Sequence, residues 1–212
     1  MTYLDLAALR AAAFHAEPYN YVVVPGFVRP DALDEIGADF PSIRSLGSFP
    51  LSSVSFGPSF NALIEELQRG EFRHAMEEKF HVTLEGHPEL ITVRGRSGAR
   101  DGKIHTDTES KIISVLIYLN KEWDADGGKL RVLRKSDSLD DFAEEVRPAG
   151  GTMLAFRRSP CSWHGHKPFH GQRRVVQINW ITDQQSYDHE LRRHRFSALS
   201  KRMNPLAWLH AA

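Results

Sequence analysis

The stretch GKIHTDTESKIISVLIYLN, Gly102 to Asn120, decides how the rest of the chain is read. Its second half, Ile112 to Leu119, is an apolar run of β-prone residues interrupted only by Ser114, long enough for a strand at the centre of a sheet. Its first half sets a histidine, His105, and an aspartate, Asp107, two residues apart at the mouth of that strand. In extended backbone, residues two apart point to the same side, so an imidazole and a carboxylate can meet at one point. By itself such a pair is most often turn chemistry, and its meaning depends on its surroundings.

Outward from this stretch the chain divides by period. Leu90 to Val93, Lys129 to Leu133, Gly151 to Phe156 and Val175 to Ile181 are further β-prone segments. Gly127-Gly128, Pro148-Ala149-Gly150-Gly151 and Pro168 are the turn signals between them. The N-terminal side is different. Helices are expected over Leu4 to Phe14, from Pro30 to about Phe40, over Phe60 to Gln68 and over Glu71 to Phe80. Tyr21 to Val24 is a lone early strand closed by Pro25-Gly26, and Ser42 to Ser59 is expected to be loop. Helices first and then many short strands predict an α+β protein whose second half is a sandwich or barrel. A single domain is expected, with 1–89 as helical support, 90–182 as strand-rich core and 183–212 as a covering segment.

Composition narrows the classes of function. The chain has 212 residues, enough for one domain with a sizeable core. Lysine plus arginine (27) balances aspartate plus glutamate (27), so no overall field draws it to nucleic acid or to an anionic membrane. Cys161 is the only cysteine, which excludes an intramolecular disulfide and a thiolate metal cluster and fits a reducing compartment. The N-terminus lacks the pattern of a signal peptide, and no stretch has the length of a membrane span. A cytoplasmic protein is expected; its oligomeric state is left open.

A second histidine, His164, lies in SWHGHKPF, just after the apolar segment Thr152 to Phe156. Two imidazoles and one carboxylate on one side of a metal make the facial set of non-haem Fe(II) oxygenases, which leaves positions open for an oxidant and a chelating cosubstrate. The order HTD, VLIYLN, Trp123, GGKLRVL, PAGGTMLAF, WHGHKP and RRVVQINW resembles the Fe(II)/2-oxoglutarate-dependent dioxygenases of the prolyl 4-hydroxylase-like group. The resemblance covers about residues 90 to 182. It implies a double-stranded β-helix, or jelly-roll, core with flanking N-terminal helices. It also implies Fe(II), with 2-oxoglutarate and O2 as cosubstrates.

Carried over by position, the resemblance makes His105, Asp107 and His164 the iron ligands. His164 is preferred to His166 and His170 because Pro168 follows it at the family's spacing. Arg174, ahead of Trp180, is expected to pair with the distal carboxylate of 2-oxoglutarate, in preference to Arg173. Tyr118 is expected to give the same carboxylate a hydroxyl, and Ser114 to line the cosubstrate pocket. Asp107 favours hydroxylation, since halogenating relatives lack this carboxylate. The segment VRGRSGARDGK, with Arg94, Arg96, Arg100 and Lys103, is expected to form a basic lip that captures substrate, chiefly through Arg96 and Arg100. The acidic Ser136 to Glu145 is its expected counterpart. The substrate is left open among a small molecule, a sugar and a protein side chain. The rival reading is a jelly-roll metal- or sugar-binding module without turnover.

Overall fold

The computed structural model describes residues 2–203 of the 212, with side chains over residues 2–196. Four helices lie in the N-terminal part: α1 (Leu6–Ala11), α2 (Leu33–Ala38), α3 (Pro58–Leu67) and α4 (Gly70–Phe80). α3 shows why they form. Pro58 opens it, the Asp39 carboxylate accepts from the Ser59 N–H (2.6 Å), and Phe60, Leu63, Ile64 and Leu67 make one buried stripe. α1 is shorter than the periodicity predicts. Asp5 caps it by accepting from the Ala8 N–H, and Phe14–His15 leaves the helix to form a short strand, β1.

The remaining strands are β2 (Tyr21–Val24), β3 (Phe49–Pro50), β4 (Glu89–Ser97), β5 (Lys111–Tyr118), β6 (Leu130–Leu133), β7 (Phe142–Val146), β8 (Met153–Arg157), β9 (His164–Gly165) and β10 (Gly171–Ile181). They form two antiparallel sheets, a major one in the order β1-β2-β8-β5-β10-β4-β3 and a minor one in the order β7-β6-β9. This is the α+β, jelly-roll class of architecture. β7 falls inside the acidic segment expected to be an open lip. Its Glu145 accepts from the buried Arg131 of β6 (2.6 Å), and Asp140 does the same just before it (2.7 Å). These acids are therefore spent within the minor sheet.

Alternation along the major sheet separates two cores. Ile113, Val115 and Ile117 of β5 and Val176, Ile178 and Trp180 of β10 face the helices and join Phe60, Phe72 and Phe80 in the larger cluster. Tyr118, Leu154, Phe156 and Val175 face the minor sheet, where Leu130, Val132 and Val146 meet them. A cavity lined by Leu116, Phe156, Arg173 and Val175 opens on this inner side. α5 (Gln184–Met203) follows β10, and the rest of the expected covering segment, 204–212, lies outside the described residues.

Candidate active site

His105 and His164 face each other across an antiparallel bridge that extends the minor sheet. Each backbone N–H donates to the other's carbonyl, at 3.1 and 3.0 Å, and the two rings lie 4.3 Å apart. Directly opposed residues project to the same face. Asp107, two residues beyond His105, joins them, and the ligand atoms of all three lie within 4.8 Å of one another. His105 is exposed, whereas Asp107 and His164 are buried.

The hydrogen bonds around the two imidazoles prepare them as ligands. Nδ1 of His105 lies 2.8 Å from the Lys103 carbonyl, and Nδ1 of His164 lies 3.0 Å from the Ser162 carbonyl. A carbonyl only accepts, so each Nδ1 carries the proton and each Nε2 keeps a free lone pair. Burial pushes the pKa of His164 down to about 4, against the opposing pull of Asp107, so its ring is neutral at physiological pH.

Asp107 is held as an anion. Burial alone would raise its pKa, but Lys111, His164 and the Ser114 hydroxyl together bring it well below the usual carboxylate range. Lys111 Nζ donates to Oδ1 (2.9 Å), and Ser114 Oγ donates to Oδ2. The polar chain runs on, with Asn179 2.9 Å from Ser114 and Gln177 3.2 Å from Asn179.

The cavity that opens on this cluster is walled by Leu116, Leu130, Phe156 and Val175. Arg173 also lines it. Its Nε donates to the Gly128 carbonyl (3.0 Å) and its guanidinium sits 5.1 Å from the centre of the Tyr118 ring. Arg173 Nη2 and the Tyr118 hydroxyl are buried and have no hydrogen-bond partner among the described residues. Burial raises the Tyr118 pKa, with Arg173 opposing, and burial lowers that of Arg173. Two orphaned donors side by side in an apolar cavity are costly unless something supplies acceptors.

Residues 95–182, which hold the metal-ligand cluster and Arg173, match the family model described as the 2OG-Fe(II) oxygenase superfamily. That segment is similar to a 2OG-Fe(II) oxygenase domain. Solved structures agree in fold. The viral collagen prolyl hydroxylase of Paramecium bursaria Chlorella virus-1, as its 2OG complex, is 16% identical, with 76% of this chain and 96% of that one covered at a TM-score of 0.54. A Pseudomonas putida prolyl-4-hydroxylase is 15% identical, with 84% and 97% covered at 0.55. An oxidoreductase of the 2OG-Fe(II) oxygenase family from Burkholderia pseudomallei is 14% identical, with 84% and 90% covered at 0.51. No curated protein sequence matches the chain.

The oxygenase domain fits its cofactors. His105, Asp107 and His164 offer two neutral imidazoles and one carboxylate, the donor set suited to Fe(II). The unpartnered donors of Arg173 and Tyr118 suit one end of a dicarboxylic acid such as 2-oxoglutarate.

Several expected residues lie elsewhere in the structure. Arg174 is not in the cavity. It projects to the helix side, donates to the Gly37 carbonyl (3.0 Å) and lies 5.2 Å from the centre of the Phe40 ring. The reason is parity: Trp180 belongs to the helix-facing core, so Arg174, six residues before it, faces the helices too, and Arg173 faces inward with Val175 and Gln177. Ser114 lies behind the cluster, on Asp107, and does not line the cavity. Of the four cations of the basic lip, only Arg94 lines the cavity, tied to Asp101 at 2.5 Å. Arg96 is half-buried on β4 opposite Gln172, and Arg100 is exposed; neither lines the cavity.

His166 lines the cavity but is absent from the metal cluster, and His170 is exposed. The carbonyl of Lys167 accepts from Nδ1 of His166 (2.8 Å). The ring lies against Gly102, whose φ of +84° and lack of a side chain let the loop pass over it. Lys111 was not singled out in the sequence. Its only local sign is its position four residues after Asp107, across a turn.

Proposed function

We propose that this protein is an Fe(II)- and 2-oxoglutarate-dependent hydroxylase that oxidises an unactivated C–H bond, with release of succinate and CO2. The pair of buried, unpartnered donors on Arg173 and Tyr118 carries this reading, because a metal-binding module without turnover has no use for them. His105, Asp107 and His164 hold the iron. Arg173 pairs through its planar fork with the distal carboxylate of 2-oxoglutarate, and Tyr118 donates its hydroxyl to the same group. Leu116, Leu130, Phe156 and Val175, which wall the cavity, would keep water from the chain of a diacid bound there. The Nδ1 bonds to the Lys103 and Ser162 carbonyls fix both imidazoles, and Ser114 fixes the carboxylate. When bound, Fe(II) with 2-oxoglutarate supplies the activation of O2 that C–H cleavage requires. Asp107 in the ligand set supports hydroxylation. The single cysteine among 212 residues supports a reducing compartment such as the cytoplasm.

The test is succinate release by the purified chain with Fe(II) and 2-oxoglutarate, alone and with pools of candidate substrates. Turnover is expected in the wild type and lost in His164→Ala and Asp107→Ala. Metal binding without any 2-oxoglutarate binding would return the chain to the class of non-catalytic jelly-roll modules.

A further inference from the structure

Lys111 is a charge inside the metal site that ligand binding does not call for. It opens β5, its N–H bonded to the Thr108 carbonyl (3.1 Å), and its side chain is only 8% exposed. Its single ion-pair partner among the described residues is Asp107, at 2.9 Å. Its charge also reaches His164, whose protonation it opposes. The ammonium therefore sits one carboxylate oxygen away from the place a ligated cation takes.

Two consequences pull against each other. Lys111 helps to aim the carboxylate, which favours metal binding. It also sets a positive charge beside a divalent one in a poorly solvated site, which opposes binding. Other groups decide the balance. Ser114 already holds Oδ2, and Arg158 Nε donates to the Asp107 backbone carbonyl (3.3 Å). The carboxylate is thus oriented without Lys111, and the repulsion is the part that Lys111 alone contributes. Each carboxylate oxygen accepts at more than one position, so lysine and metal can share Asp107. They then compete for its charge.

We propose that Lys111 is a resident counter-cation of the iron site: it neutralises Asp107 when no metal is there and loosens the hold on a divalent ion when one is. The proposal rests on the oxygenase reading of the same site. It makes the folded chain stable without iron and keeps the metal exchangeable.

The experiment measures Mn(II) affinity by calorimetry, and the melting temperature of the metal-free chain, for Lys111→Met, Lys111→Gln, Lys111→Arg and Ser114→Ala. Removing the charge in Lys111→Met should tighten Mn(II) binding on the order of tenfold, the lower end of the effect of outer-shell partners. The same variant should lower the metal-free melting temperature, since Asp107 is left buried and unpaired. Lys111→Arg keeps the charge and should stay near wild type in both. Ser114→Ala removes orientation only, and should weaken Mn(II). A purely structural role for Lys111 predicts loss of both affinity and stability. Lys111→Gln keeps a donor to Asp107 without the charge, and serves if the Met variant does not fold. Equal or weaker Mn(II) binding in a folded Lys111→Met or Lys111→Gln chain overturns the proposal. A wild type that binds no Mn(II) defeats the oxygenase reading instead.

Discussion

The two faces of the major sheet are made by the same strands and obey different rules. On the helix side, Val176, Ile178 and Trp180 of β10 pack into an apolar cluster, and the one polar atom of Trp180 is used: Nε1 donates to Glu89 (3.0 Å). On the inner side, Val175 and Gln177 border a cavity in which Arg173 Nη2 and the Tyr118 hydroxyl are buried and unpartnered. Burying a donor without a partner lowers stability, and burying one with a partner does not. The helix side is thus built for stability. The inner side gives some stability up to be ready for a ligand. Arg173 and Arg174, adjacent in sequence, fall on opposite sides of this division.

Substitutions on each face should separate stability from cosubstrate binding. Trp180→Ala opens a large hole on the helix side and should cost about 3–5 kcal/mol of unfolding free energy. Chemical denaturation checks this. The apparent KM for 2-oxoglutarate should hold wherever the variant is folded, and a large rise in a folded sample would show that the faces are coupled. Arg173→Ala should show the reverse. Loss of a buried charge-assisted pair should weaken 2-oxoglutarate by about 2–5 kcal/mol. Metal-free stability should be unchanged or higher, because an orphaned buried cation is removed. Arg174→Ala is the matched control. It should lower stability by about 1 kcal/mol through the lost bond to Gly37 and leave 2-oxoglutarate untouched. If calorimetry finds the cosubstrate loss in Arg174→Ala instead, the assignment of the two faces is reversed.

Smaller effects sharpen the same division. Tyr118→Phe should weaken 2-oxoglutarate by about 1 kcal/mol without lowering the metal-free melting temperature, since the lost hydroxyl has no protein partner. The smallest effect belongs to the segment outside the cavity. Arg96→Gln with Arg100→Gln should change stability and uncoupled 2-oxoglutarate turnover by no more than about 0.5 kcal/mol. A large loss of either in that double variant would place these arginines in the working site after all.

The metal cluster was legible because its signal is local. His105 and Asp107 need only the period of a strand, and His164 lies in a segment rich in histidine beside a turn. Helix-side positions of β5 and β10 were legible as apolar runs. Arg173 was not, although the sequence holds what is needed. Alternation says that neighbours face opposite ways, but only an anchored residue says which way is inward. Trp180 is that anchor once it is known to pack on helices. β7 was hidden by its acids, which read as solvent-facing until Arg131 is placed beneath them. Lys111 was hidden for a related reason. Its partner is fixed by a turn and by burial, and neither is written in a spacing.

The three candidate metal ligands do not share one environment. His105 is open to solvent, while Asp107 and His164 lie behind it. A histidine-modifying reagent in bulk water therefore meets His105 first and is kept from His164 by the fold. Asp107 and His164 are reached only through the cavity that they line with His105.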